Sequence, residues 1–358
     1  MKLFFKKETH KARYLDPADE FQEKVVRIEL RTDLFTGRKA RVLTQRWRFP
    51  ETSIDGLTIS KSKEGCPFCP DKIETATPKF PSYFIPKERI RCGGATLVPN
   101  AFPYSKYNAV CVLSKEHYLS LKDFPPEMLF DAFKACLGYI TDIRRLDKRV
   151  AFASINWNYM PAAGGGIIHP HFQVVVDETP TKFHDRLVDA SSNYHRRLGR
   201  TYWADLISYE ERERARHIFR CGEITFLTSY CPAGMLGEVL VIFEQAGTLD
   251  QAREEDWRCF SDGLAKILSC FHRMHFGSLN MTLFVNLDRS AHFLAQARII
   301  PRMSISPLAI SDVNYFEKGH DEIIAIISPE ELANNIKSLL TDELNHRGDR
   351  FEPEPSFE

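Results

Sequence analysis

One order of elements occurs twice in this chain, and it constrains the fold more than any single residue does. Strand-like runs at 95–98 and 109–113 lead to a helix opened by Pro125-Pro126, with Met128, Leu129, Phe130, Phe133, Leu137 and Ile140 at helical spacing. Further strands follow at 151–157 and in the run ending Val174-Val175-Val176. The second pass has strands at 223–228 and 238–243, then a helix over 254–275 carrying Trp257, Phe260, Leu264, Ile267 and Phe271, then strands at 281–286 and 293–300. Laying Asn108–Val112 over Gly237–Val241 sets the copies 129 residues apart. An offset of about 127 in the later strands puts His169-Pro170-His171 opposite Gln296-Ala297-Arg298. The second copy lacks both histidines, so the first half is expected to carry the chemistry and the second to supply structure and part of the binding wall.

Lys plus Arg and Asp plus Glu number 48 each, so no general polyanion surface is indicated and a nucleic-acid partner is not expected, although a local basic cleft for a nucleotide fits the balance. The 358 residues suit two domains or one large duplicated one, and 43% apolar residues fill a sizeable core. No run approaches the ~20 apolar residues of a membrane span. Leu3-Phe4-Phe5 is too short for a secretory signal, so a cytoplasmic protein is expected. The nine scattered cysteines read as reduced core thiols rather than a disulfide framework; only Cys66 and Cys69 lie close together.

Gly164-Gly165-Gly166 opens onto the extended run 167–177, a tight turn followed by a strand. Alternation along that strand puts His169, His171 and Gln173 on one face and turns Phe172 and Val174 to the other. Two imidazoles, an amide and bare glycine N–H groups on one surface suit phosphorus chemistry. The same pair also fits a metal site in a hydrolase, or polar residues on an exposed face. In Gly65-Cys66-Pro67-Phe68-Cys69-Pro70 the prolines stiffen a knuckle that presents two thiolates to one tetrahedral zinc at ~2.3 Å, and they argue against the helix start a redox motif would use. Two cysteines leave two ligands to be found.

Residues 1–30 are charged and weakly patterned, with a short helix expected over 20–27. Arg31–Leu43 contains a Thr36-Gly37 turn between extended pieces, a hairpin whose Arg31, Arg38 and Arg41 either reach a phosphate or line a solvated edge. After Met303 a polar loop runs through Asp312–Glu317 to a helix near 329–340, and the acidic, proline-bearing tail reads as disordered.

With Cys66-x-x-Cys69, Ser114-x-x-His117 and His169-Pro170-His171-x-Gln173 set in order, the chain resembles the galactose-1-phosphate uridylyltransferase family of the histidine-triad superfamily over roughly residues 28–340. The Thr-Gly hairpin, an Asn-x-Phe-Pro element at Asn100–Pro103 and the duplication belong to the same resemblance. It implies an α+β, internally duplicated histidine-triad-like fold, each half a mostly antiparallel sheet with packed helices. The halves are expected at 1–195 and 196–345, with a disordered tail at 346–358. The resemblance further implies that Cys66, Cys69, His117 and His169 bind one structural zinc ion per chain and that His171 is the nucleophile. Gln173 would donate to a phosphoryl oxygen, Asn158 would touch the phosphates, and the Gly164, Gly165 and Gly166 amides would stabilise charge there. Asn100, Arg31 and Glu317 complete the expected substrate contacts.

The implied activity is a nucleotidyl transfer from a nucleoside diphosphate sugar to a sugar 1-phosphate through a nucleotidyl-histidine, in galactose and nucleotide-sugar metabolism, by a homodimer needing no catalytic metal and no membrane. With phosphate or water as acceptor, the same histidine would make a phosphorylase or hydrolase of nucleotide sugars or dinucleoside polyphosphates. A zinc-stabilised binding protein without turnover is the third expectation. Three departures bear on these. Ala101 stands where the family usually has an acidic residue facing the ribose; Gln296 and Arg298 stand where some members have histidines for a second metal, so that site is expected to be empty; and bulky Phe172 is expected to reshape the pocket beside the phosphate.

Overall fold

Pro126 opens helix α3 (Pro126–Leu146) at the turn where a missing backbone N–H costs nothing, and Leu129, Phe133, Cys136, Ile140 and Ile143 then fall on one buried stripe. The structure, a computed structural model, describes residues 4–43, 54–288, 292–305 and 310–347. The stripe packs on one antiparallel sheet of ten strands. Their order is β4 (Ile90–Cys92), β5 (Ala95–Pro99), β6 (Tyr107–Val112), β8 (His171–Asp177), β7 (Phe152–Tyr159), β12 (Ser278–Asn286), β13 (Gln296–Arg302), β11 (Val239–Phe243), β10 (Ile224–Thr228) and β9 (His217–Cys221). The order reads the same outward from the β7–β12 pair, where Phe152 lies opposite Asn286 and Tyr159 opposite Leu279. Each copy therefore contributes five strands and one long helix, α3 or α6 (Glu254–Arg273), and the copies share one sheet.

The helix face holds the main core. Phe133 of α3 stacks on Phe172 at 5.0 Å and meets Phe260 of α6 at 5.0 Å, while α8 (Pro329–Arg347) adds Leu332 and Ile336. Burying each such side chain contributes about 1.5–3 kcal/mol. Phe172 thus spends its bulk in the core and does not shape the face that carries His171, contrary to the expectation.

Register corrects the alignment of the copies by one residue. Val112 lies opposite His171, and Leu240 lies opposite Arg298, so β6 and β11 stand 128 residues apart, not 129, while the 127-residue offset of His171 and Arg298 stands. A slip of one reverses every side chain in a strand. With the corrected offset, Val110 and Val112 share a face with Leu240 and Ile242, away from α3 and α6.

That second face is covered differently in each half. Over the first half, Cys66, Phe68 and Cys69 seal Val98, Val110 and Val112. Over the second, α4 (Lys182–Leu198) and α5 (Tyr202–Glu213) lay Leu187, Trp203 and Leu206 on Leu240, Ile242 and Phe293. Nothing in the repeated element order anticipates these two helices.

A smaller sheet comprises β1 (Phe5–Asp16), β2 (Gln22–Asp33), β3 (Lys39–Leu43) and β16 (Glu322–Ala325), the last parallel to β3; a two-residue pair, β14 (Ser304–Ile305) with β15 (Ile310–Ser311), stands apart. The expected Thr36-Gly37 turn is present, with Gly37 at φ 73 and its N–H on the Asp33 carbonyl at 2.8 Å. The helix expected over 20–27 is instead a turn at Glu20 and Phe21 followed by β2. Val26, Ile28 and Leu30 recur at period two, a strand signal that the surrounding charges obscure.

Cys221 and Cys259 form a disulfide that ties the end of β9 to α6, correcting the expectation of reduced thiols throughout; the other seven cysteines are free. α8 runs to Arg347, into the first two residues of the expected tail, and positions 348–358 lie outside the described residues. Among the described residues no helix is long and apolar enough to cross a membrane.

Candidate active site

The cysteine knuckle follows α1 (Gly56–Glu64) and precedes α2 (Ile73–Ala76), with the Cys69 carbonyl accepting from the N–H groups of Lys72 and Ile73 at 2.9 Å each. Both cysteines pack on Val98, Val110 and Val112 of the sheet. Ligand atoms of Cys66, Cys69, His117 and His169 all lie within 4.8 Å of one another, and all four residues are buried. Nδ1 of His169 sits 3.7 Å from Cys66 Sγ and 3.8 Å from Cys69 Sγ, and Nδ1 of His117 sits 3.4 Å from Cys69 Sγ. The outer nitrogens are held from behind: Nε2 of His169 donates to the Ser114 carbonyl at 2.9 Å, and Nε2 of His117 pairs with the Ser62 hydroxyl at 2.8 Å. Such partners leave Nδ1 as a bare lone pair aimed inward.

The electrostatics agree with that donor set. Burial pushes the Cys69 thiol up to about 11, with Cys66 beside it adding to the shift. Burial also depresses His169 to about 4 and lowers His117, so both imidazoles are neutral at pH 7. Two buried sulfurs and two neutral imidazoles whose ligand atoms converge form a donor set that fits a metal ion.

His171 begins β8, two residues beyond His169 of this cluster. Its Nδ1 donates to the His169 carbonyl at 2.8 Å, which fixes the proton on Nδ1 and leaves Nε2 unprotonated. Burial lowers its proton affinity further. Phe68, from between the two cysteines, holds its ring 5.2 Å from the His171 ring, so the knuckle braces the imidazole directly. The result is a neutral, oriented imidazole with one free lone pair.

Gln173 shares the His171 face of β8, opposite Val110. Its Oε1 accepts from the Tyr104 hydroxyl, which leaves the amide N–H₂ to donate elsewhere. The element order gave no reason to single out Tyr104; its signal was its place directly after the Asn-x-Phe-Pro run.

Comparison with known proteins bears on this arrangement. Superposition on a solved uridylyltransferase structure gives a TM-score of 0.64 over 87% of this chain and 98% of that one, at 18% identity. The chain has the uridylyltransferase fold. An ADP-glucose phosphorylase from Arabidopsis thaliana, solved with bound ADP-glucose, shares the uridylyltransferase fold with this chain at TM-score 0.64 and 16% identity, over 87% of this chain and 98% of that one. A galt-like protein from Arabidopsis thaliana does so at 0.64 and 15%, over 86% and 98%. An uncharacterized protein of Archaeoglobus fulgidus is 29% identical over 339 residues, 94% of this chain and 99% of its own. No family model matches the sequence.

The remaining expected site residues divide on this fold. Asn158 faces Asn280 across the β7–β12 junction, and its Oδ1 accepts from Asn280 Nδ2 at 2.8 Å. The amides of Gly164 and Gly165 are spent inside their own turn, on the Pro161 and Met160 carbonyls at 2.9 and 3.1 Å, which corrects their expected role as phosphate donors. Gly164 has φ 86, and a Cβ on Gly165 would lie 2.7 Å from the Asn158 carbonyl oxygen, so both glycines serve the turn that delivers His169. Gly166 carries neither constraint. Asn100 is partly engaged: Nδ2 donates one N–H to Asn108 Oδ1 at 2.8 Å and Oδ1 accepts from the Phe102 N–H at 3.0 Å, folding the turn that carries Tyr104. Arg31 is buried and paired with Glu29 and Glu330, and Glu317 lies in the first turn of α7 (Tyr315–His320), paired with Lys318. No described contact joins Arg31 or Glu317 to His171.

Proposed function

We propose that this protein is a cytoplasmic nucleotidyltransferase that carries a nucleoside monophosphate on His171 between a nucleotide sugar and a phosphate-bearing acceptor. The carrying observation is the Nδ1-to-carbonyl hydrogen bond of His171, which leaves its Nε2 lone pair free on a braced ring. In the first step Nε2 attacks the α-phosphorus, a P–N bond forms, and the bond to the bridging oxygen breaks with release of sugar 1-phosphate. The proton stays on Nδ1, where the His169 carbonyl stabilises the cationic ring. In the second step an acceptor oxygen attacks the same phosphorus and the P–N bond returns its electrons to Nε2. Gln173, oriented by Tyr104, donates to the non-bridging oxygens.

Cys66, Cys69, His117 and His169 would hold zinc, which when bound supplies a fixed cation that pins the loop entering β8. With four protein ligands the site keeps no open position for substrate. On this reading the half at 1–195 carries the chemistry and the half at 196–345 supports it. The β1–β2 ribbon, exposed along most of its length, favours a homodimer, which sedimentation of the purified chain tests.

Sugar 1-phosphate is the proposed acceptor. A phosphorolytic reading is favoured by Ala101, which removes an acidic contact from the nucleoside side, and by the shared fold with ADP-glucose phosphorylase. Intact-mass measurement after brief incubation with a panel of nucleoside diphosphate sugars is the test. A gain of one nucleoside monophosphate, absent in His171→Ala, supports the transfer. Its discharge by sugar 1-phosphate, phosphate or water then names the acceptor, and no gain with any donor on the metal-loaded protein would overturn the reading.

A further inference from the structure

At the sheet position equivalent to His171, the second half places Arg298, which packs on the ring of Phe183, and that ring lines a basic cavity. The cavity, about 560 Å³, is formed by the Thr36–Lys39 turn, the start of α4 and the end of α7. Arg38, Lys39, Lys182 and Arg186 line it, with His320 at the rim. Against these four cations stand Asp321 and Glu322, and Glu322 already pairs with Arg41 at 3.2 Å. Lys39, Lys182 and Arg186 have no carboxylate partner among the described residues.

The wall behind the cavity is short of negative charge as well. Arg38 and Arg298 both stack on Phe183, at 4.3 and 4.9 Å from its centroid, and both share one fully buried carboxylate, Glu238. Asp33 is near Arg38, but its oxygens are taken by the Phe35 and Thr36 amides and the Thr36 hydroxyl. Buried Arg298 Nε and Gln296 Nε2 lack a hydrogen-bond partner among the described residues. A buried surplus of guanidinium over carboxylate is costly unless an anion completes it.

We propose that this cavity binds a phosphate-bearing small molecule, at a second site distinct from the one built around His171. Its volume suits a phosphorylated metabolite. Guanidinium forks at Arg38 and Arg186 match phosphoryl oxygens, and Lys39 and Lys182 add point charges. The duplication accounts for its place: the second copy has exchanged a nucleophilic imidazole for a fixed cation on the same strand and face, keeping a site and losing the reaction. This inference rests on charge and geometry in the second half and not on the transfer chemistry, so either can fail alone.

The test uses the full chain with inorganic pyrophosphate as the probe. Pyrophosphate is expected to slow acetylation of Lys39 and Lys182 by an amine-reactive reagent, read peptide by peptide, while Lys87 reacts unchanged. Parallel arms with orthophosphate, glucose 1-phosphate and ADP identify the source by the lowest protecting concentration. Removing two charge-assisted contacts in K182A/R186A should weaken this site roughly tenfold or more while nucleotidylation of His171 proceeds, and K182R/R186K should keep it. Equal reactivity of both lysines with and without about 10 mM of every probe, a millimolar Kd being the weakest binding of interest, would overturn the proposal. So would undiminished protection in K182A/R186A, or loss of His171 nucleotidylation there, which would assign the cavity to the transfer reaction.

Discussion

The glycine triplet offers a graded test of how the loop into the site works. At Gly165 an added Cβ would meet two backbone oxygens, Asn158 O at 2.7 Å and Met160 O at 3.0 Å, neither of which can rotate away as a side chain would. Gly165→Ala must therefore shift the turn against the β7–β12 junction, an overpacking cost of about 1–3 kcal/mol, or roughly five- to 150-fold in the unfolding equilibrium. Gly164→Ala meets only a side-chain amide at 3.8 Å but sits at φ 86, so its cost is backbone strain of about 1–2 kcal/mol. Gly166→Ala meets nothing within 4 Å and has an ordinary φ, so it should lie within about 0.5 kcal/mol of the parent. Urea midpoints of the metal-loaded proteins, at constant m, measure the series, and intact-mass nucleotidylation reads the site. Gly166→Ala should fold and form the adduct as the parent does. Were Gly166→Ala the least stable of the three, or Gly165→Ala as stable as the parent, the turn geometry argued here would be wrong.

Tyr104→Phe removes an exposed hydroxyl that orients Gln173, so stability should change by less than about 0.5 kcal/mol while adduct formation slows roughly fivefold, one neutral hydrogen bond's worth; unchanged rates would dismiss the positioning role. Cys66→Ser should drop bound metal from one equivalent to near none by elemental analysis and abolish the adduct although His171 is intact, whereas full metal content would exclude Cys66 as a ligand. Burial alone would raise the Glu330 carboxyl, but Arg31 and Arg216 outweigh it and hold it at about 2. Because the folded value lies below the unfolded one, this stabilisation is complete above about pH 4.5 and fades as pH falls toward 2. Glu330→Gln should accordingly be less stable than the parent at pH 7, with the gap closing over that window; a gap that does not narrow on acidification would refute the ion-pair assignment.

The repeat was legible because its signals are local and strong: a proline-opened helix with one apolar stripe, flanked by β-branched runs, twice over. Register was not, since sliding Asn108–Val112 along an equally apolar partner changes little in sequence while reversing every face. The four-residue Cys and His cluster required pieces 103 residues apart, Cys66 to His169, and came from resemblance; local spacing supplied only the knuckle. The tautomer of His171 depends on a carbonyl two residues back, and the Gly164 and Gly165 amides and part of the Asn100 amide are engaged by bonds that form only after folding. Arg31, chosen for its charge, is claimed by Glu330, 299 residues away. Long-range pairing decides which polar groups remain free, and no local pattern records it.

The junction of β7 with β12 has a consequence for how the molecule can be taken apart. Eight residues of one copy are paired rung by rung with the other in the middle of a ten-stranded sheet. A chain cut between the copies would leave each fragment with a long unprotected edge, Phe152–Tyr159 on one and Ser278–Asn286 on the other, both rich in apolar and aromatic side chains. Such fragments should aggregate or re-associate, and the edge amides, protected by pairing in the intact sheet, should exchange deuterium much faster once cut. Two units that share a pattern have in this way become one, each supplying the edge the other lacks.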